Sequence, residues 1–159
     1  MHPILRDLAR RIFFVSTMCI GLMLVTGSSQ AQSLGYGFIG ATAGDLSGAF
    51  RYGFGAEWAT APHISIGGEI GGIEKNSSGL LASGNLTGHI PVRGPLDPFV
   101  TGGISVGHLS HTTGAYGNLG GGLNYWWNSH FAFRGEFRDY VGGGDLPGFA
   151  EFRFGLSFR

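Results

Sequence analysis

His130-Phe-Ala-Phe-Arg-Gly-Glu-Phe-Arg-Asp-Tyr140 and Glu151-Phe-Arg-Phe-Gly-Leu-Ser-Phe-Arg159 alternate aromatic and charged residues almost one for one. An extended strand points successive side chains to opposite faces. In the first stretch Phe131, Phe133 and Phe137 fall on one face, and Arg134, Glu136 and Arg138 on the other. In the second, Phe152, Phe154, Leu156 and Phe158 oppose Glu151, Arg153 and Ser157. Such a sheet has one apolar face and one face carrying charges of both signs. A closed barrel with lipid outside and a polar interior accommodates both faces.

The N-terminus supplies the matching export signal. Arg6, Arg10 and Arg11 form a basic segment, and Ile12 to Val25 is an apolar run of 14 residues. Ser29-Gln-Ala31 reads as a small-x-small cleavage site. This is the pattern of a cleavable signal peptide over residues 1–31, with the mature chain starting near Gln32. The run is short for a membrane-spanning helix, which needs about 20 residues. Cys19, the only cysteine, lies inside the leader and its neighbours Met18 and Ile20 do not form a lipoprotein box. The mature chain is therefore expected to hold no disulfide and no Cys-based metal site.

Residues 32–159 are expected to form one domain. Without the leader's three Arg and one Asp, seven basic and nine acidic residues remain. That balance gives no electrostatic footprint for nucleic acid. Lys75 is the only lysine, whereas a solvated surface usually carries many. Most of the 31 glycines sit between β-branched and aromatic residues, inside the alternating segments. In a closed barrel such glycines make room for larger side chains on neighbouring strands.

Eight alternating segments are predicted: 35–44, 49–59, 63–73, 80–92, 98–108, 115–127, 130–140 and 149–158. Their lengths suit tilted membrane-spanning strands of about 9–11 residues. Thr60-Ala-Pro62, Arg93-Gly-Pro-Leu-Asp97 and Asn128-Ser129 read as turns on one rim, with longer loops on the other. Parity places Tyr52, Phe54, Ala56, Trp58, Ile64, Ile66, Ile70, Leu86, Ile90, Val100, Ile104, Val106, Leu119, Leu123, Tyr125 and Trp127 outward with the phenylalanine rows. It places Arg51, Glu57, Ser65, Glu69, Asn85, Thr87, Thr101, Asn118, Asn124, Arg134, Glu136, Arg138, Glu151 and Arg153 inward. The first segment is too rich in glycine to orient. Trp58, Trp127, Phe131 and Phe158 fall near turn ends, as an aromatic girdle would. Phe50 suits the opposite girdle; Tyr116, Tyr140 and Phe149 require a bulge or a loop position there. The inward charges balance at four Arg and four Glu, as a lumen only wide enough for side chains demands.

Pro98-Phe-Val-Thr-Gly-Gly, Asn118-Leu-Gly-Gly-Gly-Leu-Asn-Tyr125, Phe133-Arg-Gly-Glu-Phe-Arg-Asp-Tyr140 and the closing Phe-Gly-Leu-Ser-Phe resemble the small bacterial outer-membrane β-barrel proteins. The resemblance is to eight-stranded transmembrane domains of the OmpA and OmpX type, and is best from Pro98 to Arg159. It implies an all-β fold: an eight-stranded antiparallel up-and-down transmembrane β-barrel, exported behind its signal peptide. It also implies a C-terminal signal read by the barrel-assembly machinery, matched by Gly155, Leu156 and Phe158, although Arg159 follows the final aromatic. Outer-membrane lipids and lipopolysaccharide are the implied partners, for a monomer in the outer membrane.

Other functions leave weaker traces. His108-Leu-Ser110 has the His-x-Ser spacing of outer-membrane lipid A deacylases, but the next strand offers only Asn118 and Asn124 where an acid should orient the histidine. His108 and His111 are too few ligands for a metal site. Asn76-Ser-Ser78 and Asn85-Leu-Thr87 match a glycosylation sequon by accident in an otherwise bacterial-looking chain. A soluble lipocalin-like barrel would also alternate, but its exterior should carry Lys, Asp and Glu. The expectation is a structural or surface-interaction barrel, not an enzyme. It has no assigned catalytic, cofactor-binding or metal-binding residue and no cofactor.

Overall fold

The computed structural model describes residues 33–75, 78–109, 112–143, 146 and 148–159. Eight strands run β1 (Leu34–Gly44), β2 (Phe50–Ala61), β3 (Ile64–Glu74), β4 (Ser78–His89), β5 (Leu96–Leu109), β6 (Thr112–Trp126), β7 (Phe131–Gly142) and β8 (Phe149–Phe158). Each pairs antiparallel with the next, and β8 pairs back onto β1, closing the barrel. The leader, its cleavage site, Cys19, Asn76, Ser110 and His111 lie outside the described residues.

The register measures the stagger of the closure. Leu34 pairs with Glu57, and the row continues through Gly67, Asn85, Gly103, Asn118, Tyr140 and Phe149 to Gly44. One circuit thus advances from residue 34 to residue 44 on β1, a shear of ten residues. Eight strands with that stagger tilt by about 40° and leave an interior that side chains can fill.

The alternation holds on both faces. Every inward residue named from the sequence is buried, including Arg51, Glu57, Glu69, Arg134, Glu136, Arg138, Glu151 and Arg153. The outward row is exposed from Tyr52 to Phe158, with Ile104 at 71% and Phe154 at 69%. Only Ala56 and Ile90 are intermediate. Trp127 packs at 4.4 Å between centroids against Phe133 and 6.1 Å from Phe131, forming part of the turn-side girdle. On the loop side Phe50 and Tyr52 face outward, and the Tyr52 hydroxyl donates to Glu74 at 3.1 Å.

Three expectations are corrected. The fourth strand stops at His89 rather than at Val92, because Pro91 has no N–H to donate to the ladder and Gly94 (φ 92°) turns the chain. The two rims are not distinguished by connection length: residues 62–63, 90–95 and 127–130 join strands on one, and 45–49, 75–77, 110–111 and 143–148 on the other. Strand pairing extends further into the supposed long loops than turn composition suggested. Finally, Tyr116, Tyr140 and Phe149 are buried in the lumen instead of forming a girdle or lying in loops. They share parity with Asn118, Arg138 and Glu151, so alternation places them inside.

Candidate functional site

The lumen is the only place where the described residues gather charged chemistry, and it is layered. At its centre Glu136 accepts hydrogen bonds from Arg134 Nε (3.1 Å), Arg138 Nε and Nη2 (2.9 and 2.6 Å) and Arg153 Nη2 (2.8 Å). Arg153 Nη1 crosses to Glu69 on the far wall at 2.8 Å, and Tyr36 donates to the same carboxylate at 3.0 Å. Arg134 Nη2 crosses to Glu57 at 3.0 Å. Strands β7 and β8 thus send guanidinium groups across the barrel to carboxylates of β2 and β3. A buried charge left without such partners would cost several kcal/mol, on the order of 3–5.

Aromatic rings floor this network. Arg134 lies between the rings of Tyr36 and Phe99, 4.3 and 4.1 Å from their centroids, and Arg153 lies 4.3 Å from that of Phe38. Desolvated cation–π contacts of this kind contribute about 2 kcal/mol. The rings fit because glycines face them. A Cβ on Gly55 would stand 2.5 Å from Tyr36, one on Gly53 2.8 Å from Phe38, and one on Gly122 2.6 Å from Phe99. The glycine-rich strands are therefore sockets for large lumen side chains.

Towards the loop rim the polarity changes. Leu81, Tyr116, Tyr140 and Phe149 form a buried apolar layer, with Leu46 and Leu146 packed on it. Tyr140 stacks on Phe149 at 4.6 Å. Beneath this layer Arg51 Nε lies 3.3 Å from Glu151, but among the described residues neither Glu151 oxygen has an aligned hydrogen-bond donor. The Tyr140 hydroxyl is likewise unpartnered. This is the least satisfied part of the lumen.

Towards the turn rim His89, Asp97, Ser65, Asn124 and Ser157 are buried and hydrogen-bonded. His89 and Asp97 were not singled out in the sequence. Alternation carried two residues past Thr87, and from Thr101 back past Phe99, would have found both. Asp97, His89 and Ser65 line up like a hydrolase triad, with contacts of 2.9 and 3.3 Å. The Ser65 hydroxyl, however, donates to Glu57 at 2.9 Å and the residue is fully buried. It is not poised as an activated nucleophile.

The sequence-derived hydrolase pair fares differently. His108 is exposed on the outer face near the loop rim, and its Nδ1 meets Thr113 Oγ1 at 2.8 Å. Among the described residues no carboxylate is hydrogen-bonded to it. Ser110 lies outside the described residues. Asn85, of the second sequon, is buried in the lumen, next to Asn118 and Arg138.

No protein-family model and no curated protein sequence matches the chain. Solved structures do match. The N-terminal β-barrel domain of Pseudomonas aeruginosa OprF is similar at 20% identity and a TM-score of 0.62, over 81% of this chain and 99% of that one. Neisserial surface protein A is similar at 10% identity and a TM-score of 0.64, over 79% and 94%. A de novo designed transmembrane β-barrel is similar at 17% identity and a TM-score of 0.60, over 85% and 98%. At these identities the likeness carries the fold and no activity. The chain has the closed eight-stranded antiparallel architecture of transmembrane β-barrels.

Proposed function

We propose that this protein is an integral outer-membrane barrel with a structural or surface-interaction role and no catalytic one. The observation that carries this is the inverted polarity of its two faces. The exterior is a closed band of Phe, Ile, Leu and Val, and the interior is a balanced network of Arg and Glu. A soluble lipocalin-like barrel needs the reverse arrangement. Acyl chains are the partner that matches the exterior, and headgroups, lipopolysaccharide among them, suit the girdle levels. The turn rim, where Trp58, Trp127, Phe131 and Phe158 cluster, is assigned to the periplasm. Insertion by the barrel-assembly machinery through the final strand, and a monomeric state, belong to the same reading.

The lumen favours a plug over a pore: cross-barrel Arg–Glu contacts fill its middle and an apolar layer covers one end. The test is cell fractionation with gel mobility. The protein should sediment with outer membranes and run at two mobilities, before and after boiling. Recovery in the soluble periplasmic fraction would overturn the reading. Lipid A from overproducing cells should keep its acyl pattern by mass spectrometry. Loss of an acyl chain, abolished by Ser110→Ala, would instead make the protein an esterase.

A further inference from the structure

At the turn-side mouth the polar side chains join into an open ring, with a gap between Ser157 and Arg134, that reaches every strand. Arg134 (β7) donates to Glu57 (β2) at 3.0 Å, and Ser65 (β3) donates to the other Glu57 oxygen at 2.9 Å. Ser65 Oγ meets His89 Nε2 (β4) at 3.3 Å, and His89 Nδ1 meets Asp97 (β5) at 2.9 Å. Asn124 (β6) donates to Asp97 at 3.0 Å and accepts from Ser157 (β8) at 3.1 Å. The Tyr36 ring (β1) lies under Arg134. Glu57, Asn124 and Ser157 precede Trp58, Tyr125 and Phe158, so the ring sits level with the turn-side girdle.

Donor accounting shows which protonation of its central member satisfies every contact together. A carboxylate only accepts, so His89 Nδ1 donates to Asp97. The Ser65 proton is directed to Glu57, so Ser65 accepts from His89 Nε2, which also lies 3.5 Å from Glu57. All of these contacts are made at once only when both imidazole nitrogens carry protons, as an imidazolium. Charge agrees: among the described residues the lumen's five carboxylates, Asp97 included, meet four guanidinium groups, and a protonated His89 supplies the fifth positive charge.

We propose that His89 is a pH-sensitive latch whose proton links the two halves of this open ring and holds the turn-side mouth of the barrel together. Loss of the Nε2 proton turns the Ser65 hydroxyl from Glu57 towards the ring nitrogen. Glu57 then keeps only Arg134, and the lumen is left with one uncompensated negative charge. The groups that face His89 are Glu57 on β2, Ser65 on β3, Asp97 and the Phe99 ring on β5, and the His63 carbonyl, which accepts from His89 N at 2.8 Å. Histidine is the member of this set whose charge ordinarily changes between pH 5 and 8. The open ring is continuous from Arg134 to Ser157 while the imidazole is charged and breaks at His89 as pH rises through its deprotonation, so stability falls with rising pH.

Nitrogen-15 spectra of the folded wild-type barrel test this directly. At about pH 6 both His89 ring nitrogens should carry protons, and one proton should be lost in alkaline solution. A neutral single tautomer at the lower pH would overturn the proposal. Thermal unfolding in detergent micelles gives a second test. The wild-type midpoint should fall by several degrees from mildly acidic to alkaline pH. His63→Gln should keep that slope and His89→Gln should flatten it. An unchanged slope in His89→Gln would also overturn it, and the spectra decide alone if that variant does not fold.

Discussion

The wall made by β7 and β8 and the wall made by β3 to β5 solve the same problem with opposite side chains. Outside, the first wall presents Phe131, Phe133, Phe137, Phe152, Phe154 and Phe158; the second presents Ile64, Ile66, Ile70, Val100, Ile104 and Val106. Inside, the first carries Arg134, Glu136, Arg138 and Arg153; the second carries mostly Ser65, Ser83, Asn85, Thr87, Thr101 and Ser105, with Glu69, Leu81, His89 and Phe99 as its larger members. The lumen has one fixed width. Long side chains from one wall can only be accommodated against short ones on the other. The difference teaches that this barrel is packed across its axis rather than around its wall, so the two walls should respond unequally to mutation.

The largest effect is expected at the centre of the charged wall. Glu136→Gln leaves three guanidinium groups around a neutral amide and should cost about 3–5 kcal/mol of unfolding free energy in a denaturant titration. Replacing Glu136 and Arg138 by Gln together should recover part of the loss. A neutral single variant would show that water, not protein, solvates the centre.

The outer face of the same wall comes next. Phe154 stands mid-strand in β8, whereas Phe133 lies only two residues from the turn-side end of β7. Phe154→Arg should therefore cost about 2–4 kcal/mol in bilayers, and Phe133→Arg less, because the penalty falls towards the interface. Equal costs would contradict this assignment of depth.

The sockets fall below these. Gly55→Ala should push first against the Tyr36 ring beneath Arg134 and cost about 1–3 kcal/mol. Gly84→Ala, facing outward with nothing within 4 Å of the added methyl, should be close to neutral. If the two are alike, the glycines are not sockets.

The smallest effect is expected on the short-side-chain wall. Thr87 donates to Thr101 at 3.2 Å inside the lumen. Replacing either by Val should cost about 0.5–1.5 kcal/mol, and replacing both should cost less than the sum of the two, since no orphan hydroxyl remains. A loss as large as that of Glu136→Gln would erase the distinction between the walls.

Much of this was legible in the sequence because a strand has a two-residue period and the faces here differ sharply. Parity alone placed Arg51, Glu57, Glu69 and the β7–β8 charges inside. It failed where chemistry was allowed to override it. Tyr116, Tyr140 and Phe149 had inward parity, but aromatic residues near a rim suggested a girdle, although they form the apolar layer over the ion network. Tyr36 and Phe38 were hidden among glycines whose role as sockets depends on which residues lie opposite across strands. Of the open ring at the turn-side mouth, His89 and Asp97 needed only parity and the β4–β5 hairpin, whereas the links from Arg134 to Glu57 and from Asn124 to Ser157 were not legible, because they join strands that are not neighbours.

The central claim is that apolar side chains face lipid because of their place on the wall and not merely because they are apolar. Methyl-labelled protein in lipid nanodiscs tests it through nuclear Overhauser contacts with acyl-chain methylenes. Ile66, Ile104, Val106 and Leu119 should show such contacts. Leu81, equally apolar but buried in the lumen, should show none. Acyl contacts at Leu81 together with water contacts at Ile104 would contradict the account and turn the barrel inside out.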